Sequence, residues 1–367
     1  MKVLVINTVS FRLNGVTSVI MNYYRNMDRT DMQTDFVVIN EISDEFRAEL
    51  EENGATVYYI PRRKEPLEYM RELYRVCKNG GYDVVHIHGN SAMMLPDVLP
   101  ALWARVPVRV VHSHSTSCSH KLLNKLFSPL FHRSYTHRIA CGEDAGRWLF
   151  GVRPFTVLKN GVDLKKYRFD PSVRAEYRRK LGADGRIIIG HVGNFIAVKN
   201  QSFLLDAFAY IAARDERYRL LFLGAGELLD SVKEKAAALG LEDKVCFLGN
   251  TTEVAQYMQA MDVLTLPSMH EGLPVVLVEA QAAGLPCVVS DRVAKEANLT
   301  DSLQYLPIDD AAVWADALMQ VDVDEQKRLV RCDDWQRCVA EAGYDIVANA
   351  DKLKGLYKEF CVQQQKG

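Results

Sequence analysis

Nowhere in the 367 residues is there an apolar run long enough to span a bilayer. The N-terminus carries no signal-peptide pattern either: Met1-Lys-Val-Leu-Val-Ile-Asn7 reads as a strand, and polar residues follow. A cytoplasmic protein is expected, at most peripheral on the inner face of the plasma membrane. The eight cysteines (Cys77, Cys118, Cys141, Cys246, Cys287, Cys332, Cys338 and Cys361) form no Cys-x-x-Cys pair. Most have apolar neighbours, so buried free thiols in a reducing compartment are expected. No Gly-x-Gly-x-x-Gly follows the first strand, which argues against a dinucleotide cofactor. There is no isolated Asp-x-Asp loop, since Asp309-Asp310 and Asp333-Asp334 lie in polar C-terminal segments, so no metal-binding carboxylate loop is evident.

One further absence is local. No acid occurs between Asp97 and Glu143, an interval holding Arg105, Arg109, Lys121, Lys125, Arg133, Arg138 and five of the nine histidines. Net charge is only −2, and it is uneven: residues 1–165 carry 21 Lys+Arg against 17 Asp+Glu. An anionic partner for this face is expected, and no nucleic acid. Within it, Lys121 to Arg133 sets Leu122, Leu123, Leu126, Phe127, Leu130 and Phe131 on one helical face with cations on the other. Such a basic amphipathic helix suits an anionic membrane surface over residues 120–138; an ordinary helix packed on its own sheet is the alternative.

Hydrophobic content of 48% and charged content of 25% are those of a soluble globular protein, and the length suggests two domains. Strands are expected at Lys2–Asn7, 36–39, 56–60, 83–88, 108–112, 138–141 and 155–158. A fresh set follows at Ile187–Val192, 219–223, 245–248, 262–266 and Cys287–Ser290. Helical segments between them predict α/β domains with parallel sheets. Thr8 to Thr17 is a turn holding Asn14-Gly15, and residues 164–185 read as a linker plus a charged helix. His86-Ile-His88 and His112-Ser-His114 each place two imidazoles on one side of a strand. Such pairs could chelate zinc together with a carboxylate, pack a strand end, or bond a ligand.

The most informative stretch is Glu271-Gly-Leu-Pro-Val-Val-Leu-Val-Glu279-Ala-Gln-Ala-Ala-Gly-Leu-Pro-Cys-Val-Val-Ser-Asp291. It reads as a loop with Glu271, a helix starting near Gly272 to Pro274 and carrying Glu279, a turn at Gly284 and a strand. Its loop lies at the carboxyl end of the strand before it, where open α/β sheets bind ligands. The helix would aim free N–H groups at a phosphate, and Glu279, about two turns in, would meet ribose hydroxyls beyond.

Glu-Gly-Leu-Pro-Val-Val-Leu-Val-Glu-Ala resembles the Glu-x7-Glu signature of retaining glycosyltransferases of the large fourth family, which have the two-domain GT-B fold. The resemblance runs over nearly the whole chain and is nearest to bacterial exopolysaccharide and capsule enzymes. It implies two Rossmann-like parallel-sheet domains facing a central cleft. Residues 1–163, completed by a helix over about 345–367, would bind the acceptor; residues 164–344 would bind the nucleotide-sugar donor. Asn160-Gly-Val-Asp163 matches the family pattern where the first domain ends.

By the same resemblance, His114, Glu271 and Lys199 carry catalysis, with His112 the rival of His114 beneath the donor sugar. Donor contacts fall on Gly15, Asn194, Lys199, Gly226, Phe247, Leu248, Glu271, Gly272, Leu273, Pro274, Val275 and Glu279. Lys199 would hold the diphosphate. Asn194 stands where the family commonly has Arg, which weakens the usual two-cation clamp. Contacts near Val245–Gly249 would suit uracil, with guanine as the alternative base. Metal-independent, retaining hexosyl transfer to a glycan or polyprenyl-diphosphate-linked acceptor is implied. Rival functions are a nucleotide-sugar epimerase and a catalytically silent nucleotide-sugar-binding subunit.

Overall fold

In the computed structural model, residues 1–12, 14–39, 41–60, 65–118 and 120–366 are described. Leu13, within the expected Thr8–Thr17 turn, lies outside them. The chain divides into two compact units, Met1–Gly161 with Ile346–Gly367, and Val162–Asp345.

The first unit contains β1 (Lys2–Asn7), β2 (Gln33–Val38), β3 (Val57–Tyr59), β4 (Val84–Gly89), β5 (Val108–Ser113), β6 (His137–Ala140) and β7 (Thr156–Val157). All are parallel, in the order β3-β2-β1-β4-β5-β6-β7. The apolar runs of β1 and β4 follow from cover on both faces. One face packs against Gly15–Asn26 and the C-terminal helix Ile346–Lys366, which contributes Ile346, Ala350, Leu353, Tyr357 and Phe360 to the core. The other packs against Pro66–Gly80, Leu95–Trp103 and the Phe131 end of Lys121–Ser134.

The second unit contains β8 (Ile187–Val192), β9 (Tyr218–Leu223), β10 (Val245–Phe247), β11 (Val263–Leu266), β12 (Cys287–Ser290) and β13 (Leu303–Leu306). These are also parallel, in the order β10-β9-β8-β11-β12-β13. Each sheet reverses its winding once, at β1/β4 in the first unit and at β8/β11 in the second. Loops leaving the carboxyl ends of those pairs diverge and leave the crevice where such sheets take ligands.

Two expectations change and a third gains detail. Within residues 164–185 the expected charged helix forms. Asp170 caps the helix Pro171–Lys180, and Pro171 opens it, where a missing N–H costs nothing. That helix buries Arg174 and Arg178 against Asp262 and the carbonyls of Gln259, Ala260 and Met261. Asp262 also accepts from the Ile188 amide at 2.7 Å, so the charges tie β8, β11 and the helix together. The apolar residues of Lys121–Ser134 do not share one face: Phe131 is buried and Phe127 packs inward, while Leu122, Leu126 and Leu130 point to solvent at 81%, 69% and 49% exposure. Among the cysteines, all free, Cys77, Cys287 and Cys332 are buried, Cys246 is exposed and the rest are intermediate.

Candidate functional site

In the second unit the switch point is built from two loops. Gly193–Asn200 leaves β8, and Pro267–Pro274 leaves β11. The Met269 amide donates to the Val198 carbonyl at 2.8 Å, joining one to the other. Glu271 is pinned through its backbone: its amide donates to Arg292 and its carbonyl accepts from Ala294, both beyond β12. Its side chain forms an ion pair with Lys199, both partners mostly buried. The two charges that the resemblance assigned to sugar and diphosphate thus meet each other. A diphosphate reaching Lys199 would compete with this carboxylate for the ammonium's three N–H donors.

Behind them runs the helix Val275–Ala282, with Pro274 as its N-cap residue. It begins slightly later than Gly272, leaving Gly272 and Leu273 in the approach to the helix. Leu273 and Val275 pack their side chains on the unit's core, so they can offer a ligand their backbone rather than their side chains. Glu279 lies one turn along, partly buried and hydrogen-bonded by the Tyr167 hydroxyl. Burial raises its pKa; the Tyr167 bond and Lys166 oppose this.

Glycines divide into two kinds here. A Cβ on Gly226, at φ +159°, would lie 2.4 Å from the Phe195 carbonyl oxygen, and one on Gly224 2.1 Å from that of Gly193. The loops after β8 and β9 therefore meet backbone to backbone, held by Phe195 N–H to Ala225 O at 2.9 Å. Gly226 serves this contact, which the donor assignment had not included. By contrast, a Cβ on Gly272 or Gly15 meets nothing within 4 Å, and neither needs positive φ. The fold does not require glycine at these two positions.

Asn194 is exposed, and its carbonyl accepts from the Gln201 side chain at 2.9 Å. Phe247 stacks on Phe222 with centroids 5.3 Å apart, so its ring belongs to the core, and Leu248 is tied to Phe222 through its amide. What this strand end can offer a base is mainly backbone. Sequence reasoning missed His191, on β8. It is buried, its Nδ1 is 2.9 Å from the Thr265 carbonyl, and burial lowers its pKa to about 3. Its Nε2 and the hydroxyls of Thr265 and Ser268 are buried without a partner among the described residues. A buried histidine at the end of an apolar strand has no spacing motif that would mark it.

In the first unit, Asn14 caps Gly15–Asn26 by accepting from the Thr17 amide at 3.0 Å. This loop leaves β1 beside the end of β4. His114 follows β5, and its Nε2 lies 2.8 Å from His88 Nδ1. His112 is fully buried within β5 and its ring contacts His86, His88 and His114. His114, at the strand's end, is the more accessible of the two rivals. Burial holds all four imidazoles neutral, with His86 lowered to about 3 and His114 to about 4.

Comparison with known proteins agrees with this architecture. Residues 173–305 match the family model Glycosyl transferases group 1, and residues 14–161 match the Glycosyl transferase 4-like domain. The chain is 34% identical over 360 residues to EpsF of Bacillus subtilis (strain 168), named as a glycosyltransferase, covering 94% of this chain and 93% of the relative. It is 27% identical to the Escherichia coli UDP-Gal:alpha-D-GlcNAc-diphosphoundecaprenol alpha-1,3-galactosyltransferase, over 80% of this chain and 79% of that one. The fold is shared with Anabaena HepE in complex with UDP and glucose, at TM-score 0.80 and 20% identity, covering 98% of this chain and 100% of HepE. A Rickettsia africae glycosyltransferase superposes at TM-score 0.77 with 14% identity, over 98% of each chain. With two switch-point loops, two parallel sheets and these matches, the chain belongs to the glycosyl transferases group 1 and is a glycosyltransferase of the GT-B fold.

Proposed function

We propose that the chain moves a hexosyl group, with retention of configuration, from a UDP-linked sugar to a lipid-linked glycan acceptor during exopolysaccharide assembly. The Lys199–Glu271 pair at the switch point carries this reading. In the reaction the bond from the anomeric carbon to the diphosphate breaks, and a bond from that carbon to the acceptor oxygen forms. The acceptor's proton ends on the leaving phosphate. Negative charge grows on the diphosphate as the bond lengthens, and a preorganised cation is worth most there. Lys199 supplies it, with backbone N–H groups at Gly272 and Leu273. Released from Lys199, Glu271 is free to accept from sugar hydroxyls, and Glu279 from the ribose. No metal is required at the diphosphate on this reading, because Lys199 and the helix N-terminus take its place.

The name of the Escherichia coli relative supports the choice of UDP and of a lipid-linked acceptor, and the resemblance of the Glu271–Glu279 stretch to bacterial exopolysaccharide enzymes supports the exopolysaccharide role. The exposed Leu122, Leu126 and Leu130 beside Lys121 and Lys125 suit an anionic membrane surface, where such acceptors reside. No described helix is long and apolar enough to cross a membrane.

Thermal shift with a panel of UDP- and GDP-sugars tests the donor. Stabilisation by UDP-sugars above the others is expected. Preference for GDP-sugars would contradict the base assignment, and conversion of the sugar without acceptor would favour an epimerase.

A further inference from the structure

The four histidines at the carboxyl ends of β4 and β5 do more than supply one group beneath a sugar. His86 and His88 lie on one side of β4, and His112 stands directly opposite His88 on β5. One nitrogen from each of His86, His88 and His112 falls within 4.8 Å of the others, and all three residues are buried. His86 Nε2, both nitrogens of His112 and Nδ1 of His114 are buried with no hydrogen-bond partner among the described residues. Such a concentration of orphaned imidazole nitrogens in a native core calls for something to occupy it.

We propose that His86, His88 and His112 form a site for one zinc-class transition-metal ion, with His114 closing its accessible side. The donor set is imidazole alone, which suits zinc, cobalt, nickel or copper and gives magnesium, calcium and manganese no carboxylate. Two ligands are already oriented by their second nitrogen, as metal-bound histidines commonly are. His86 Nδ1 lies 2.6 Å from the Tyr357 hydroxyl, which leaves Nε2 to face the ion. His88 Nδ1 is bonded to His114. Metal–nitrogen bonds of about 2.0–2.1 Å place tetrahedral ligand atoms roughly 3.3 Å apart. The His86 and His112 rings lie within 5° of parallel, so the rings must rotate as well as draw inward by about an ångström, movements that side-chain torsions supply. Tyr357 belongs to Ile346–Lys366, so a bound ion would link β4, β5 and this helix within the first unit. The site belongs to the first unit and Lys199 to the second, and it is not the metal-free diphosphate contact proposed above.

The test uses the untagged full chain stripped with chelator, and reads binding rather than transfer. Cobalt(II) is titrated while visible absorption is followed, and zinc is titrated while thermal stability is followed. The expected result is one equivalent of cobalt with the intense bands of a low-coordinate nitrogen site, displaced by zinc, and a rise in Tm with zinc but not magnesium. His112→Asn should weaken binding at least tenfold, while the surface control His120→Ala keeps it. If wild type shows no stoichiometric cobalt spectrum, the cluster holds only water and the proposal falls. Equal cobalt binding by folded His112→Asn, checked by circular dichroism, would overturn it equally.

Discussion

Glu279 and Glu271 are separated by eight positions of sequence and by opposite local chemistry. Glu279 is held by an uncharged hydroxyl in a desolvating setting, and Glu271 by a lysine. Removing each should therefore do different things to nucleotide binding. Glu279→Ala loses the acceptor for ribose hydroxyls and should weaken UDP binding about tenfold, the worth of a hydrogen bond to a charged group. Glu271→Ala removes the carboxylate that competes for Lys199, so UDP should bind at least as tightly while turnover falls. Calorimetric titration of UDP into both variants decides this; equal weakening in the two would refute the division of roles. Glu279 also has a pH consequence. Its folded pKa is raised above the unfolded value of about 4.3, so the folded chain holds this proton more tightly. The stability so contributed is complete below the unfolded pKa and is lost as pH rises through the folded one. Glu279→Gln should thus have a higher Tm than wild type at pH 7, with the gap closing towards pH 4. A gap constant over that range would show that burial is not what shifts the group. The ion pair itself was not legible in the sequence. Lys199 and Glu271 are 72 positions apart, and nothing local to either indicates that two different loops bring them together.

Elements were more legible than contacts. Glu271 to Asp291 announced loop, helix, turn and strand through Gly and Pro placement around an apolar run, and the structure has Val275–Ala282 and β12 there. β13, Leu-Gln-Tyr-Leu, was missed because four residues at a sheet edge, only one of them fully buried, leave no alternating or continuous apolar pattern. The charged helix Pro171–Lys180 was legible but its burial was not: its arginines are buried because Asp262 and carbonyl groups meet them, which composition does not reveal. Two glycine substitutions separate fold from function at the loops. Gly226→Ala forces a Cβ into the Phe195 backbone and should lower Tm clearly. Gly272→Ala meets no neighbouring atom and should leave Tm unchanged while reducing transfer, since on the proposed reading the donor and not the fold needs the space. A Tm loss at Gly272 matching that at Gly226 would remove the argument. On the helix Lys121–Ser134, the double change Lys121→Glu and Lys125→Glu should reduce sedimentation with anionic vesicles, since each cation near such a surface contributes about 1 kcal/mol. Wild type that never sediments with such vesicles would leave the exposed leucines without that role.

Across the whole molecule, two parallel sheets each bring a switch-point crevice; alternating strands and helices announced the sheets but not the strand orders that place the crevices. Chemistry is divided unevenly between them: Lys199, Glu271 and Glu279 lie in the second unit, and the cluster of His86, His88, His112 and His114 in the first. Asn194 offers no charge where a second cation is usual in resembling enzymes, and hydrogen bonds without charge assistance are about half as strong. On the proposed reading, leaving-group stabilisation therefore concentrates on Lys199. The decisive measurement is the initial rate of hexosyl transfer from a UDP-sugar to a diphospholipid-linked glycan, in EDTA, for wild type and Lys199→Ala. Wild type should keep its rate in the chelator, and Lys199→Ala should fall by at least about a hundredfold, the scale of losing one preorganised charge-stabilising donor. A folded Lys199→Ala near the wild-type rate, or transfer abolished by EDTA and restored by magnesium or manganese, would contradict the account.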